Sequence, residues 1–173
     1  MTRMIVKPVG SLLAFVCLSA SANAHMLPIS YLTVVPDETH VHVEFLLNPF
    51  DLQFFSEIDK NHNGVLDPNE MEAFEQLATP RLVDLIEVRV DGKVIKPDVA
   101  GADLAVGSHH VVLRAHYPID AREVPISIRC NLWNILRSGN VIIVKYVNNG
   151  HTQSRLLDSG KRFVTFDPAE KPQ

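Results

Sequence analysis

The stretch Thr39-His40-Val41-His42-Val43-Glu44-Phe45-Leu46-Leu47 decides the fold class. Val41, Val43, Phe45 and Leu47 alternate with His40, His42 and Glu44, and a side-chain period of two places one apolar row on one face of an extended chain. Working outward, Ile29 to Val35 reads as a partner strand, joined through the Pro36-Asp37 turn. Val88 to Ile95 carries Asp91-Gly92, a dipeptide suited to a two-residue hairpin turn. Val111, Leu113, Ala115 and Tyr117 repeat the alternation, Val124 to Cys130 extends the set, and Asn148-Asn149-Gly150 separates Val141–Val147 from Thr152–Leu157. Arg162 to Phe166 closes it. Seven or eight short strands predict a mainly β protein, an antiparallel β-sandwich over residues 25–167, with 168–173 as a tail.

The composition agrees with one folded domain. At 173 residues, 46% apolar and 21% charged, the chain can bury a sizeable core but has little room for a second domain. A formal charge of -4 argues against nucleic acid or an anionic membrane as partner, since phosphate contacts need clustered Lys and Arg that the sequence lacks. One Trp offers no run of stacking platforms for bases or sugars.

Residues 1–24 have the layout of a secretory signal peptide. Arg3 and Lys7 precede the apolar run Leu12 to Leu18, and Ala22-Asn23-Ala24 fits the small-residue cleavage rule. Cleavage after Ala24 gives a chain beginning at His25; cleavage after Ala22 begins it at Asn23. The apolar run is shorter than the ~20 residues of a membrane-crossing helix, and no second such run follows, so the mature chain is expected to be exported, periplasmic or secreted, without a transmembrane span. It keeps one cysteine, Cys130, which excludes an internal disulfide and reads as a small buried hydrophobe.

One region breaks the β rhythm, residues 48 to about 86, and it holds the only specific motif. Asp59-Lys60-Asn61-His62-Asn63-Gly64-Val65-Leu66-Asp67-Pro68-Asn69-Glu70 satisfies D-x-[DN]-x-[DN]-G-x5-E at every position. This stretch resembles the calcium loop of the EF-hand family. Calcium takes hard oxygen ligands from loop positions 1, 3, 5, 7, 9 and 12, which fall on Asp59, Asn61, Asn63, the Val65 carbonyl, Asp67 and Glu70. Gly64 stands where the chain must turn sharply. The flanks suggest helices: Asn48-Pro49 is a helix start, with Phe50, Phe54 and Ile58 at four-residue steps. Asp67 and Glu70 have capping-box spacing, followed by Met71, Phe74 and Leu77 at three-residue steps. The expectation is a helix-loop-helix insert with a calcium site in the ~10⁻⁴ to 10⁻³ M range, since Asn61 and Asn63 lower its charge. No second loop with ligand spacing is present, so Leu66 should pair with the sheets, with another chain, or with nothing.

A wider resemblance covers nearly all of the mature chain. The signal peptide, the Ala-His start, two strands, an EF-hand-like insert and a Val-Asp-Gly-Lys hairpin are similar to the extracytoplasmic domain of nickel/cobalt or hydrogenase-associated transporters. That resemblance implies the fold alone: such domains are usually followed by membrane helices, which do not follow here, so a transport role would need a separate membrane partner, and an envelope or membrane-protein partner is an expectation of its own.

Eight histidines raise a competing class, a periplasmic copper or nickel carrier. His40 and His42 share a strand face, His110 and His116 share another, and a chain beginning at His25 could chelate copper through its amine and imidazole. Signatures of catalysis fail: there is no G-x-S-x-G, no H-E-x-x-H and no phosphate-cradling glycine loop. The reading is therefore a binding or interaction module, not an enzyme.

Overall fold

A computed structural model describes residues 28–104, 110–120 and 124–169; the segment expected to be a signal peptide, His25 and the last residues of the tail lie outside them. The chain runs β1 (Ile29–Pro36), β2 (His40–Leu47), two single turns of 3-10 helix (Pro49–Asp51 and Phe55–Glu57), α1 (Pro68–Asp84), β3 (Ile86–Val90), β4 (Lys93–Ile95) and β5 (Val99–Leu104). It continues through β6 (Val111–Pro118), β7 (Ile126–Cys130), a 3-10 turn (Leu132–Asn134), β8 (Val141–Asn148), β9 (His151–Leu157) and β10 (Phe163–Phe166).

The strands form two sheets, one of order β5-β6-β2-β1-β8-β9 and one of order β10-β7-β3-β4. Their apolar rows share one core. Val41, Val43, Phe45 and Leu47 are buried as the alternation requires, and so are Ile126, Ile128, Val164 and Phe166 of the smaller sheet. Between the sheets the Tyr146 ring of β8 stacks on Phe166 of β10 at 5.1 Å, and the Tyr117 hydroxyl of β6 donates to the Ile86 carbonyl of β3 at 3.5 Å. Burial pushes the Tyr117 hydroxyl up to about 12, so it stays a neutral donor.

Three expectations change. The sheets are not wholly antiparallel, because β1 runs parallel to β8, with Leu32 opposite Val144. A strand at Val99–Leu104 is added; its Val-Ala-Gly-Ala run has little β signal of its own and is held by pairing with β6.

The third concerns the insert. Among the described residues no α-helix precedes the loop: Asn48 does cap a turn, its side chain accepting from Phe50 N, but the turn ends after Asp51. The backbone there bonds sideways instead. Gln53 N donates to Ile135 O, Arg137 N donates to Asp51 O, and Leu52 forms a bridge with Leu136. Each group so used is lost to an i to i−4 ladder, so two 3-10 turns stand where a helix was expected.

Candidate metal-binding loop

The half of the insert after the loop follows the local sequence closely. Asp67 is the N-cap of α1: its Oδ1 accepts from Asn69 N at 2.9 Å and Glu70 N at 3.0 Å, while Glu70 Oε2 accepts from Asp67 N at 3.1 Å. This reciprocal capping box satisfies orphan amides of the first turn, and Pro68 starts the helix without wasting a donor. The buried stripe is Glu70, Phe74, Ala78, Thr79, Leu82 and Val83. Its four-residue steps leave Leu77, expected inside, 52% exposed. The helix packs against β5 and the start of β3, and so connects the loop to both sheets.

Within the loop each candidate ligand side chain accepts from a backbone amide. Asp59 Oδ2 accepts from Gly64 N at 3.0 Å, Asn61 Oδ1 from Asn63 N at 2.9 Å, and Asn63 Oδ1 from Val65 N at 2.7 Å. Glu70 reaches back across the loop, its Oε1 accepting from Lys60 N at 2.9 Å and Asn61 N at 3.3 Å. With the Asp67 cap, these short-range bonds wind the chain tightly and use oxygens of five of the six expected ligands, all but the Val65 carbonyl. Gly64 makes the winding possible. Its φ is +76°, and a Cβ built there would stand 2.8 Å from Phe50 Cζ, so the left-handed turn and the Phe50 ring beneath it both require glycine.

The burial of the carboxylates is the unusual feature. Asp59 and Glu70 are each 5% exposed. Asp59 Oδ1 has no hydrogen-bond partner among the described residues, and neither acid forms an ion pair among them. A buried carboxylate without a cation is costly unless hydrogen bonds or a bound ion offset the lost hydration. A cavity of about 340 Å³ opens beside Glu70, lined by Ile58, Lys60, Asn61, Asp67, Asn69 and Ala73 as well. The residues therefore fit a hard cation anchored on Asp59 Oδ1. They are not a closed ligand cluster as they stand: among the described residues no group of three or more His, Cys, Asp or Glu is set to hold a metal ion. Half of the six expected ligands are amide or backbone oxygens.

The apolar residue in the loop has its partner. Leu66 is buried in the common core, while Val65 beside it is exposed. No strand passes through the loop, so Leu66 packs by side chain only, and it offers no edge to another chain. Cys130 is likewise fully buried, its thiol pushed up to about 12 by desolvation, which removes it both as a nucleophile and as a contact.

The histidines divide. His62 and His151 are exposed, and His110 lies near Asp51, before the start of β6. His40 and His42 stay together, and β2–β6 pairing sets His42 opposite His116. The sequence had no means of bringing Asp37 and Asp98 to the same place, yet His42 Nε2 meets Asp37 Oδ2 and His40 Nε2 lies 3.1 Å from Asp98 Oδ2. The hydrogen bond from His42 leads the causes that hold the Asp37 carboxyl well below the usual range, and the bond from His40 does the same for Asp98. Among the described residues no helix is long and apolar enough to cross a membrane. No protein-family model matches the chain, and comparison with curated proteins gives no match.

Proposed function

We propose that the chain is an exported, periplasmic or secreted protein whose loop Asp59–Glu70 binds one calcium ion as a single EF-hand-like site, and that it works as a binding module and not as an enzyme. Asp59, Asn61, Asn63, the Val65 carbonyl, Asp67 and Glu70 are the ligands. The observation that carries this is the pair of buried carboxylates, Asp59 and Glu70, without a cation and with one oxygen unsatisfied. Calcium supplies the compensating charge. The protein's part is to hold the oxygens in a ring by loop amides and to tie that ring to the core through Leu66 and α1. The ion is then mainly structural, since a lone loop without a leading α-helix lacks the helix pair that opens in calcium sensors.

The interaction role draws support from the outer face of the larger sheet. Ile29 and Tyr31 of β1 and Leu156 of β9 are exposed, with Ile143 of β8 registered between Tyr31 and Leu156. An apolar patch of this kind suits a protein partner, and for an exported chain we propose an envelope or membrane protein.

Titration calorimetry with calcium tests the ion: binding heat is expected in the wild type and absent in Asp59→Ala and Glu70→Ala, and heat surviving both substitutions overturns the assignment. Thermal melts supply a second measure. Calcium at roughly ten times Kd should add about 1.4 kcal/mol, and chelator should remove it.

A further inference from the structure

Three imidazoles meet on the outer face of the larger sheet, away from the calcium loop. Ring centroids are 4.7 Å apart for His42 and His116, 6.1 Å for His40 and His42, and 6.4 Å for His40 and His116. Two carboxylates close the group. Asp37 is held rigidly by its turn, Oδ1 accepting from Thr39 N at 2.7 Å and His40 N at 2.8 Å, which leaves Oδ2 for His42. Asp98 accepts from His40. The nearest Arg on these strands, Arg114, is occupied by Glu44 and Asp103 at 3.2 and 2.8 Å. Neither Asp37 nor Asp98 pairs with a Lys or Arg among the described residues.

We propose that His42, His116 and His40 form a site for a borderline divalent transition metal such as zinc. A metal bound at about 2.0–2.1 Å sits about 3.2 Å from an imidazole centroid, so two rings on one tetrahedral ion have centroids about 5.2 Å apart. His42 and His116 are already near that spacing, and His40 must swing inward by about 1 Å. This is why the three rings do not form a closed ligand set as they stand. The swing gives up one bond, that of Thr39 Oγ1 with His40 Nδ1 at 2.8 Å. Asp37 need not move and exposed Asp98 follows His40: a ligating histidine ordinarily donates its second ring N–H to a carboxylate, and the Asp37–His42 and Asp98–His40 pairs already have that form. Asp37 and Asp98 are positioning residues, and the histidines are the ligands. The site is independent of the calcium loop, which presents oxygens only.

The test is calorimetric titration of the full chain with zinc chloride at pH 7.5, in millimolar calcium so that the loop is saturated. Wild type is expected to bind one zinc, His116→Gln and His42→Gln to lose about 100-fold or more in affinity, and Asp37→Asn to lose about 10- to 100-fold, as partners of metal-bound histidine do. His25→Gln should bind as wild type. Circular dichroism and metal-free melts of the variants confirm that they fold; their half-exposed side chains make that the expected result. No zinc heat, unchanged binding in folded His116→Gln and His42→Gln, or loss of binding in His25→Gln each overturns the proposal, the last by moving the site to the amino terminus.

Discussion

The loop Asp59–Glu70 and the histidine cluster of β2 and β6 are built in opposite ways. In the loop every candidate oxygen lies within twelve consecutive residues, and bonds spanning two to ten positions set its shape. The cluster joins a turn, two paired strands and the entry to β5, and depends on register: His42 faces His116 only because Val43 faces Ala115. A slip of one residue would turn the histidines into the core. The difference teaches that a contiguous site survives in the sequence as a motif, whereas a cross-strand site is invisible until pairing is known.

The largest expected effect separates the two regions by mechanics. Phe74 is fully buried on α1, the helix that anchors the loop, and Phe74→Ala should cost about 3–5 kcal/mol through lost burial and a residual cavity. Denaturant melts measure the cost. In the fraction that remains folded, calcium binding should weaken while zinc binding at the cluster persists; parallel loss of both would mean that the regions are one mechanical unit.

Gly64→Ala is a narrower cut. It forces a side chain into a left-handed turn and against the Phe50 ring, at a cost of about 1–3 kcal/mol. Melts in calcium and in chelator should show a less stable protein whose calcium gain shrinks. A variant as stable as wild type, with full calcium response, would show that the turn is not as tight as the Phe50 contact requires.

The smallest effect belongs to the cluster and concerns acid. Asp37 has its pKa lowered in the folded state, so it contributes stability above its unfolded value, about 3.9, and that contribution is lost as pH falls below this toward the folded value. Asp37→Asn should therefore flatten the acid limb of a stability-against-pH curve by lowering the neutral plateau slightly toward the acid value, and only slightly because the Asp37 side chain is 45% exposed. A large change at pH 7 would place Asp37 in the core of the stability argument, where its exposure says it does not belong.

Much of the β structure was legible because half-buried strands advertise themselves by alternation. Val41 to Leu47 and the Asp91-Gly92 hairpin follow their patterns residue by residue, and Val111 to Tyr117 does so except at Val112, which is buried on the face the alternation makes polar. The capping box at Asp67 and Glu70 was legible for a related reason, since both partners are local. The helix over 48–58 misled because Phe50, Phe54 and Ile58 have helical spacing whether or not the backbone can close its ladder, and here the segment 135–137 takes those backbone groups. Leu77 misled in the same way: three-residue steps drift around a helix, and the true stripe follows Phe74, Ala78 and Leu82.

By itself the sequence determined what depends on neighbours along the chain: the alternating strands, the winding of the loop around Gly64, and the start of α1. The tertiary structure alone decided what depends on neighbours across the chain. It ran β1 parallel to β8, recruited the weak strand Val99–Leu104, broke the first helix, buried Asp59 and Glu70 together, and carried His116, Asp37 and Asp98 to His40 and His42. The physical reason is that backbone pairing and core packing satisfy groups far apart in sequence, and their choice of partner leaves no periodic mark on either segment alone.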